Sequence, residues 1–310
     1  MKRAVTGVLL IDKPAGMTSQ QVVSKVKWLL KSDHHDSKKA GHTGTLDPMA
    51  TGLLPICLGE ATKFAGFGLS ADKAYLASVL LGASTDTGDK EGQITQTADV
   101  PAVSQAKLEE IALSMTGEIA QIPPMVSALK KEGKKLYEYA RAGVEIERSP
   151  RNVLIHKLHL EKTSENTLDL AVTCSKGTYV RVLGEDIAKK LGTLGYLTAL
   201  RRTQTGGFDV ADAITLAAFE ALPFEARLAC LLSPEVLLGR LPSVVVDGGQ
   251  AERLRLGQRL NLHAHARRLD VKEPVLVRLY ADGQFLGMGE LSCEGRLQPK
   301  KILTYEENET

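Results

Sequence analysis

Strand-like and helix-like hydrophobic patterns follow one another irregularly along this 310-residue chain, with no fixed βα alternation, and that favours an α+β protein over a doubly wound parallel sheet. The pattern predicts an α+β protein with a mixed, largely antiparallel sheet and flanking helices. Val8-Leu9-Leu10-Ile11 reads as a strand, and Ser19 as the cap of a helix whose apolar face is Val22, Val23, Val26, Leu29 and Leu30. The polar run Ser32 to Lys39 reads as a solvated loop. Leu53 to Leu58 and Lys73 to Leu81 read as core strands separated by a short helical turn, and Ser104 as a second helix cap. Val153 to Leu160 and Leu168 to Cys174 form a hairpin about Glu165-Asn166. Tyr179 to Leu191 is helical and stopped by Gly192, Tyr196 to Arg202 and Thr205 to Val210 suggest a strand pair, and Ala213 to Leu238 reads as helix. At Leu241-Pro242 the texture changes to short strands. This divides the chain into a large domain, 1–240, and a small β-rich domain, 241–310.

Composition narrows the class of protein more than it identifies one. With 43% hydrophobic residues the chain can bury a core without clips. Its four cysteines lie far apart with no C-x-x-C pair, so neither a zinc knuckle nor a redox motif is available. His34-His35-Asp36 and His263-Ala264-His265 lack a third ligand at a convincing spacing, so no metal is expected. The apolar run after Met1 ends at Asp12-Lys13, short of a signal-peptide core, and the cytoplasm is the expected location. The 39 basic and 37 acidic residues nearly cancel, but residues 1–70 and 127–162 each carry nine Lys/Arg against five Asp/Glu. The tail after Pro242 carries ten of each, so any footprint on phosphate falls in the earlier part. Lys130, Lys131, Lys134 and Lys135 are candidates for backbone contact; a solvated helix face is the alternative.

The most unusual segment is Gly41-His42-Thr43-Gly44-Thr45-Leu46-Asp47-Pro48-Met49-Ala50-Thr51-Gly52, where three glycines and a proline surround one acid. Pro48 biases Asp47 toward extended backbone, and the glycines permit close approach of another chain. No Gly-Lys-Ser/Thr follows, which excludes a Walker loop. Local physics alone leaves open a structural turn and a catalytic site.

These residues resemble the catalytic motif of the TruB family of tRNA pseudouridine synthases, and other segments agree in the family's order. They are Asp12-Lys13-Pro14-Ala15-Gly16-Met17-Thr18-Ser19, Lys73-Ala74-Tyr75, Gln121-Ile122-Pro123-Pro124-Met125-Val126-Ser127-Ala128, Lys134 to Arg141, Cys174 to Arg181, and Leu200-Arg201-Arg202. The match runs from about residue 8 to about residue 208. Beyond it, Leu241-Pro242 and Gly283 to Gly289 resemble the C-terminal PUA-like RNA-binding domain common in that family.

The resemblance implies a pseudouridine-synthase-like sheet and an isomerase that converts uridine 55 in the T loop of tRNA to pseudouridine. It detaches the base from C1′, rotates it and rejoins it through C5, with no cofactor, acting as a monomer with no membrane partner. Such chemistry needs an ionised carboxylate beside a nucleotide that has left its stack. Asp47 would be that carboxylate and nucleophile, Arg181 would pair with it and keep it ionised, and Tyr75 would stack on the flipped uracil and take part in proton transfer from C5. Tyr179 and Leu200 would line the base pocket, and His42 would fill the space left by the flipped base. Lys13 and Pro14 would shape the surroundings of Asp47.

Two other classes compete. A tRNA-binding or folding module with secondary or no catalysis does not need Asp47, Tyr75 and Arg181 together. An RNA N-glycosidase usually needs a second carboxylate, which the GHTGTLDP segment lacks, although folding can bring Asp89, Glu91, Glu185 or Asp186 near.

Overall fold

Apolar alternation along two central strands sets the main sheet and the face on which a site can form. In the computed structural model, residues 2–304 are described apart from 128, 132 and 240, with backbone alone for 130, 131, 135, 137, 140 and 141. In chain order the main-sheet strands are β1 (Gly7–Lys13), β2 (Ala40–His42), β3 (Thr51–Leu58), β4 (Lys73–Leu81), β5 (Gly117–Gln121), β6 (Arg151–Lys162), β7 (Thr167–Cys174), β8 (Gly195–Thr205), β9 (Phe208–Asp209) and β10 (Ile214–Thr215). They pair in the order β10-β1-β3-β8-β4-β7-β6-β5, with β2 beside β3 and β9 beside β8. Parallel pairing occurs at β10/β1 and β3/β8, and the other pairs are antiparallel. The mixed, largely antiparallel α+β sheet is therefore as the pattern predicts.

Along β4, Lys73, Tyr75, Ala77, Val79 and Leu81 point inward, and along β7 Leu168, Leu170, Val172 and Cys174 do. Strand β8 joins that face through an irregularity. Its register against β4 slips between Leu197 and Ala199, so Leu197, Leu200 and Arg202 are all buried although an unbroken alternation from Leu197 would point Leu200 outward. Helix α1 (Ser19–Leu29) buries Val22, Val23, Val26 and Leu29. Helix α2 (Gln105–Ser114) is capped by Ser104, and α3 (Val180–Lys190) ends before Gly192. Gly184 lets α3 approach β4 and β8: a methyl there would stand 3.1 Å from Val79 and 3.2 Å from Leu197.

The tail forms a five-stranded sheet of β11 (Ser243–Val245), β12 (Leu260–Asn261), β13 (Val275–Ala281), β14 (Gln284–Leu291) and β15 (Arg296–Ile302), ordered β11-β13-β14-β15-β12. Asp282 and Gly283, with φ of 49° and 74°, make the primed turn between β13 and β14. Phe285, Met288 and Leu303 join a second apolar cluster with Val8, Leu10, Leu53 and Phe64, which ties the tail to the back of the main sheet. No helix of the described residues is long and apolar enough to cross a membrane.

Four local expectations change. The cap of α1 is Thr18, which forms a capping box with Gln21, and Ser19 is the first helical residue. Ser32 to Lys39 is not wholly solvated: His35 and Asp36 pair with Arg3 and Ala4, and the buried Ser37 hydroxyl donates to the Lys27 carbonyl at 2.5 Å. The strand expected over Thr205 to Val210 is instead the end of β8 folding back for two residues at Phe208–Asp209, turning at Gly206-Gly207. The run Ala213 to Leu238 breaks into Leu216–Ala221, Phe224–Ala229 and a 3-10 turn at Pro234–Leu238, because Pro223 and Pro234 cannot continue a helix. The side chains of Lys130, Lys131 and Lys135, and residue Ala128, lie outside the described residues; Lys134 is exposed.

Where β3 runs parallel to β8, Gly52 has φ of 103° and faces the backbone of Arg202 so closely that a Cβ would overlap it. Gly52→Ala is expected to lose at least about 2 kcal/mol of stability, since strained backbone and a clash combine. Urea denaturation checks this, and an unchanged midpoint would show that the strands can part.

Candidate active site

The segment Thr43 to Ala50 leaves β2 and enters β3 as a loop with no regular structure, yet its backbone is fastened along its length. Thr43 N–H donates to the Pro55 carbonyl at 3.1 Å. The Ser19 hydroxyl accepts from Leu46 N–H at 2.8 Å and donates to the Leu46 carbonyl at 3.0 Å. The Pro48 carbonyl accepts from Gly16 N–H at 2.9 Å and from Lys13 Nζ at 3.2 Å, and Ala50 N–H donates to the Asp47 carbonyl at 3.1 Å. The first turn of α1 and the end of β1 thus hold the loop, so Asp47 projects from a rigid backbone. Ser19, read from the sequence as a cap, is one of these fasteners.

Asp47 meets Arg181 at the start of α3, with Oδ2 3.0 Å from Nε. The guanidinium is only 4% exposed and its other arms are committed. Nη1 donates to the Thr87 carbonyl at 2.7 Å and lies 3.6 Å from Asp89 Oδ2, while Nη2 donates to the Val126 carbonyl at 2.7 Å. Arg181 cannot swing away without breaking these contacts, so the planar fork fixes the direction of the Asp47 carboxylate. Burial pushes the Asp47 carboxyl above its ordinary value, Arg181 pulls it back, and Asp89 adds to the rise. About a third of the Asp47 side chain remains open to solvent, which moderates the rise. The net direction differs from the sequence expectation, in which Arg181 dominates.

Asp89 is the second acid that folding brings near. It is buried, and its Oδ1 accepts from the Thr87 hydroxyl at 2.7 Å and from Glu91 N–H at 3.0 Å. A carboxylate so engaged is placed to hold Arg181 and is closed to an attacking water. Asp89→Asn removes a like charge while loosening Arg181. The expected result is a slower reaction whose acid limb moves to lower pH, since the Asp47 carboxyl then falls toward its ordinary value. A pH-rate profile checks the direction.

The other candidates converge on the same face. Tyr75 is buried on β4, Leu200 is buried on β8, and Tyr179 caps α3 half-buried, its backbone held by Gln121 through Tyr179 N–H to Oε1 at 3.0 Å. Burial raises both phenols; the Arg202 guanidinium opposes the rise at Tyr75, and the Ser127 hydroxyl opposes it at Tyr179. His42 ends strand β2 at the base of the loop rather than its tip, with Nδ1 accepting from Gly44 N–H at 3.3 Å. Burial and then Arg202 lower its pKa, which favours a neutral ring suited to stacking. Lys13 is fully buried, its ammonium on the carbonyls of Pro14 and Pro48, and burial lowers its pKa to about 8. Pro14 is exposed and supplies one of those carbonyls.

Sequence reading missed Ser19 and Gln121 as positioning groups, and left Asp89 as one of several acids. Each acts through a hydrogen bond to backbone or to another side chain far along the chain.

Known proteins share both the sequence pattern and the fold of this chain. Residues 32–180 match the model of the TruB family pseudouridylate synthase N-terminal domain, 181–235 that of the tRNA pseudouridylate synthase B C-terminal domain, and 242–303 that of the pseudouridine synthase II TruB C-terminal region. A tRNA pseudouridine synthase B of Psychrobacter cryohalolentis is 50% identical over 97% of this chain and 95% of its own length. That of Aromatoleum aromaticum is 49% identical over 98% and 94%. Among solved structures, a Cbf5-Nop10-Gar1 complex contains a chain that shares the fold with a TM-score of 0.70 at 23% identity, over 96% of this chain and 85% of that one.

Proposed function

The chain belongs to the TruB family of pseudouridylate synthases, and from that premise we propose that it isomerises uridine 55 in the T loop of tRNA to pseudouridine with Asp47 as the catalytic carboxylate. The observation that carries this reading is the Asp47–Arg181 pair: one carboxylate, on a pinned loop, held by a buried guanidinium while its free side stays open. Tyr75 and Tyr179 lie within reach of the Asp47 charge, and Leu200 shares the buried face of Tyr75, which together supply apolar surface for a flipped uracil.

The carboxylate must be ionised to act on the nucleotide, as nucleophile or as the charge that supports loss of the base from C1′. Arg181 orients it and bears part of its charge. The detached base then turns against Tyr75 and Leu200 and rejoins C1′ through C5, and the C5 proton leaves last. On this reading His42, at the foot of the loop, fills the position that the flipped base vacates, a role its neutral ring supports. The reading assigns 1–240 as the catalytic domain and 241–310 as a PUA-like RNA-binding domain, with a monomer acting on the T arm in the cytoplasm. A module that only binds or folds tRNA would have no use for a buried guanidinium aimed at an open carboxylate.

Unmodified tRNA bearing tritium at uracil C5 tests the reading. Isomerisation releases tritium and keeps the base on the sugar; a binder releases neither, and a glycosidase releases the base. Tritium release confined to position 55 would support the site assignment.

A further inference from the structure

Arg202 is fully buried toward the end of β8, and no carboxylate lies within salt-bridge distance of it among the described residues. A buried guanidinium without an anion is costly, so its position needs a reason. Its backbone lies opposite Gly52 of β3 on one side and opposite Tyr75 of β4 on the other. The side chain shares the inward face with Tyr75 and Leu200 because of the slip in register. Nε donates to the Leu53 carbonyl at 2.7 Å and Nη2 to the Gly44 carbonyl at 3.1 Å, so one side chain is strapped across both ends of the catalytic loop.

Nη1 is left over. It makes no well-formed hydrogen bond, and it lies 3.3 Å from where a Cβ on Gly44 would stand. Tyr75 stands directly opposite Arg202 across the β4–β8 pair, and the guanidinium charge opposes the rise in the Tyr75 pKa. With Nε and Nη2 committed to carbonyls, Nη1 is the one arm free to take a further partner. Lys73 stands beside it, with its ammonium on the Ala71 carbonyl, and neither cation forms a salt bridge among the described residues. The field of Arg202 reaches Tyr75, Lys73 and His42 alike, as expected of an uncompensated charge in a low dielectric.

We propose that Arg202 is a positioning residue for the last proton transfer of the reaction: it orients the Tyr75 oxygen and supports negative charge on it as the proton leaves C5. This rests on the isomerase reading above. In that step the Tyr75 hydroxyl proton is given up to N1, where the displaced C6=N1 pair receives it, the phenolate oxygen so formed takes the C5 proton, and the C–H electron pair becomes the C5=C6 bond. One proton leaves the base and one returns, so no co-reactant is required. An anion that exists only during this step explains a cation that has no anion in the resting site.

Two substrates separate this role from simple bracing of the loop. In tRNA with 5-fluorouridine at the target, the base can detach and rejoin through C5 but has no C5 proton to lose. Arg202→Met and Arg202→Lys are assayed on uridine and 5-fluorouridine substrates, with C-glycoside formation read by nuclease digestion and chromatography. On uridine both variants are expected to slow by about 10²-fold or more, the scale of a lost proton-transfer group, and to show a larger primary isotope effect with deuterium at C5 than the unaltered protein. On 5-fluorouridine, formation of the C-glycoside should be little changed. Equal losses on both substrates without a larger isotope effect would overturn the proposal and leave Arg202 as a brace for Asp47. Failure of both variants to fold, seen by circular dichroism, would do the same. Failure of the isomerase reading itself is distinct, because the unaltered protein would then form no C-glycoside on either substrate.

Discussion

Replacing Asp47 with Asn should abolish turnover while leaving the protein folded and able to bind tRNA. The carboxamide is nearly isosteric, and the loop that carries it is fastened through the backbone by Ser19, Lys13 and Gly16, none of which contacts the side chain being changed. What is lost is the charge at the reacting centre. The expected fall in single-turnover rate is on the order of 10⁴ or more, as for removal of a reacting group, with tRNA affinity little changed. Stability supplies a second readout. The folded Asp47 carboxyl titrates above its unfolded value, so folding favours the protonated form, and stability declines as pH rises through the unfolded value toward the folded one. At neutral pH the ionised group is therefore a cost that Asn removes, and the variant should melt at the same temperature or higher. A large loss of stability would contradict the account of a loop held by its backbone. Substantial residual turnover would remove Asp47 as the essential group.

Arg181 carries the second large effect. Arg181→Met leaves Asp89 buried without its cation and two carbonyls without their donors, a loss of about 3–5 kcal/mol by analogy with other broken buried pairs. The Asp47 carboxyl, now lacking the guanidinium that opposes desolvation, should move further up. Because the reaction needs the ionised form, activity is lost as pH falls through that pKa, so the acid limb of the pH-rate profile should shift to higher pH. At the plateau the rate should fall by about 10²–10³-fold, comparable to loss of one preorganised donor. Arg181→Lys restores a charge but cannot span both carboxylates and both carbonyls, so it should recover stability in part and rate hardly at all. Urea melts and single-turnover profiles across pH measure both. An acid limb that stays in place would mean that Arg181 does not govern Asp47.

Short-range periodicity made much of the fold legible in the chain. Alternation along 168–174 gives β7, and the spacing of Val22, Val23, Val26 and Leu29 gives α1, because side-chain direction along a strand or helix depends on sequence position alone. Boundaries failed where a neighbour distant in sequence decides. Ser19 resembles a cap locally, yet its hydroxyl is drawn to Leu46, 27 residues away, while Thr18 takes the cap. The slip at Leu197/Ala199 has no local signature and exists because β8 must pair with β4 and β3 at once.

The chemistry on offer can be read from the chain: a lone acid in a loop built of glycine and proline, with Tyr75, Arg181 and Leu200 spaced along a stretch, about 8 to about 208, that resembles one family. How that acid is held depends on the fold. Asp89 is buried against Arg181, Arg202 is a cation with no carboxylate in salt-bridge distance among the described residues and stands opposite Tyr75 in the sheet, and burial outweighs Arg181 in setting the direction of the Asp47 shift. The reason is physical. A residue's type fixes what it can donate, accept or titrate, but desolvation and through-space charge depend on which groups the fold places within a few ångströms, and those groups here lie 40 to 160 residues apart.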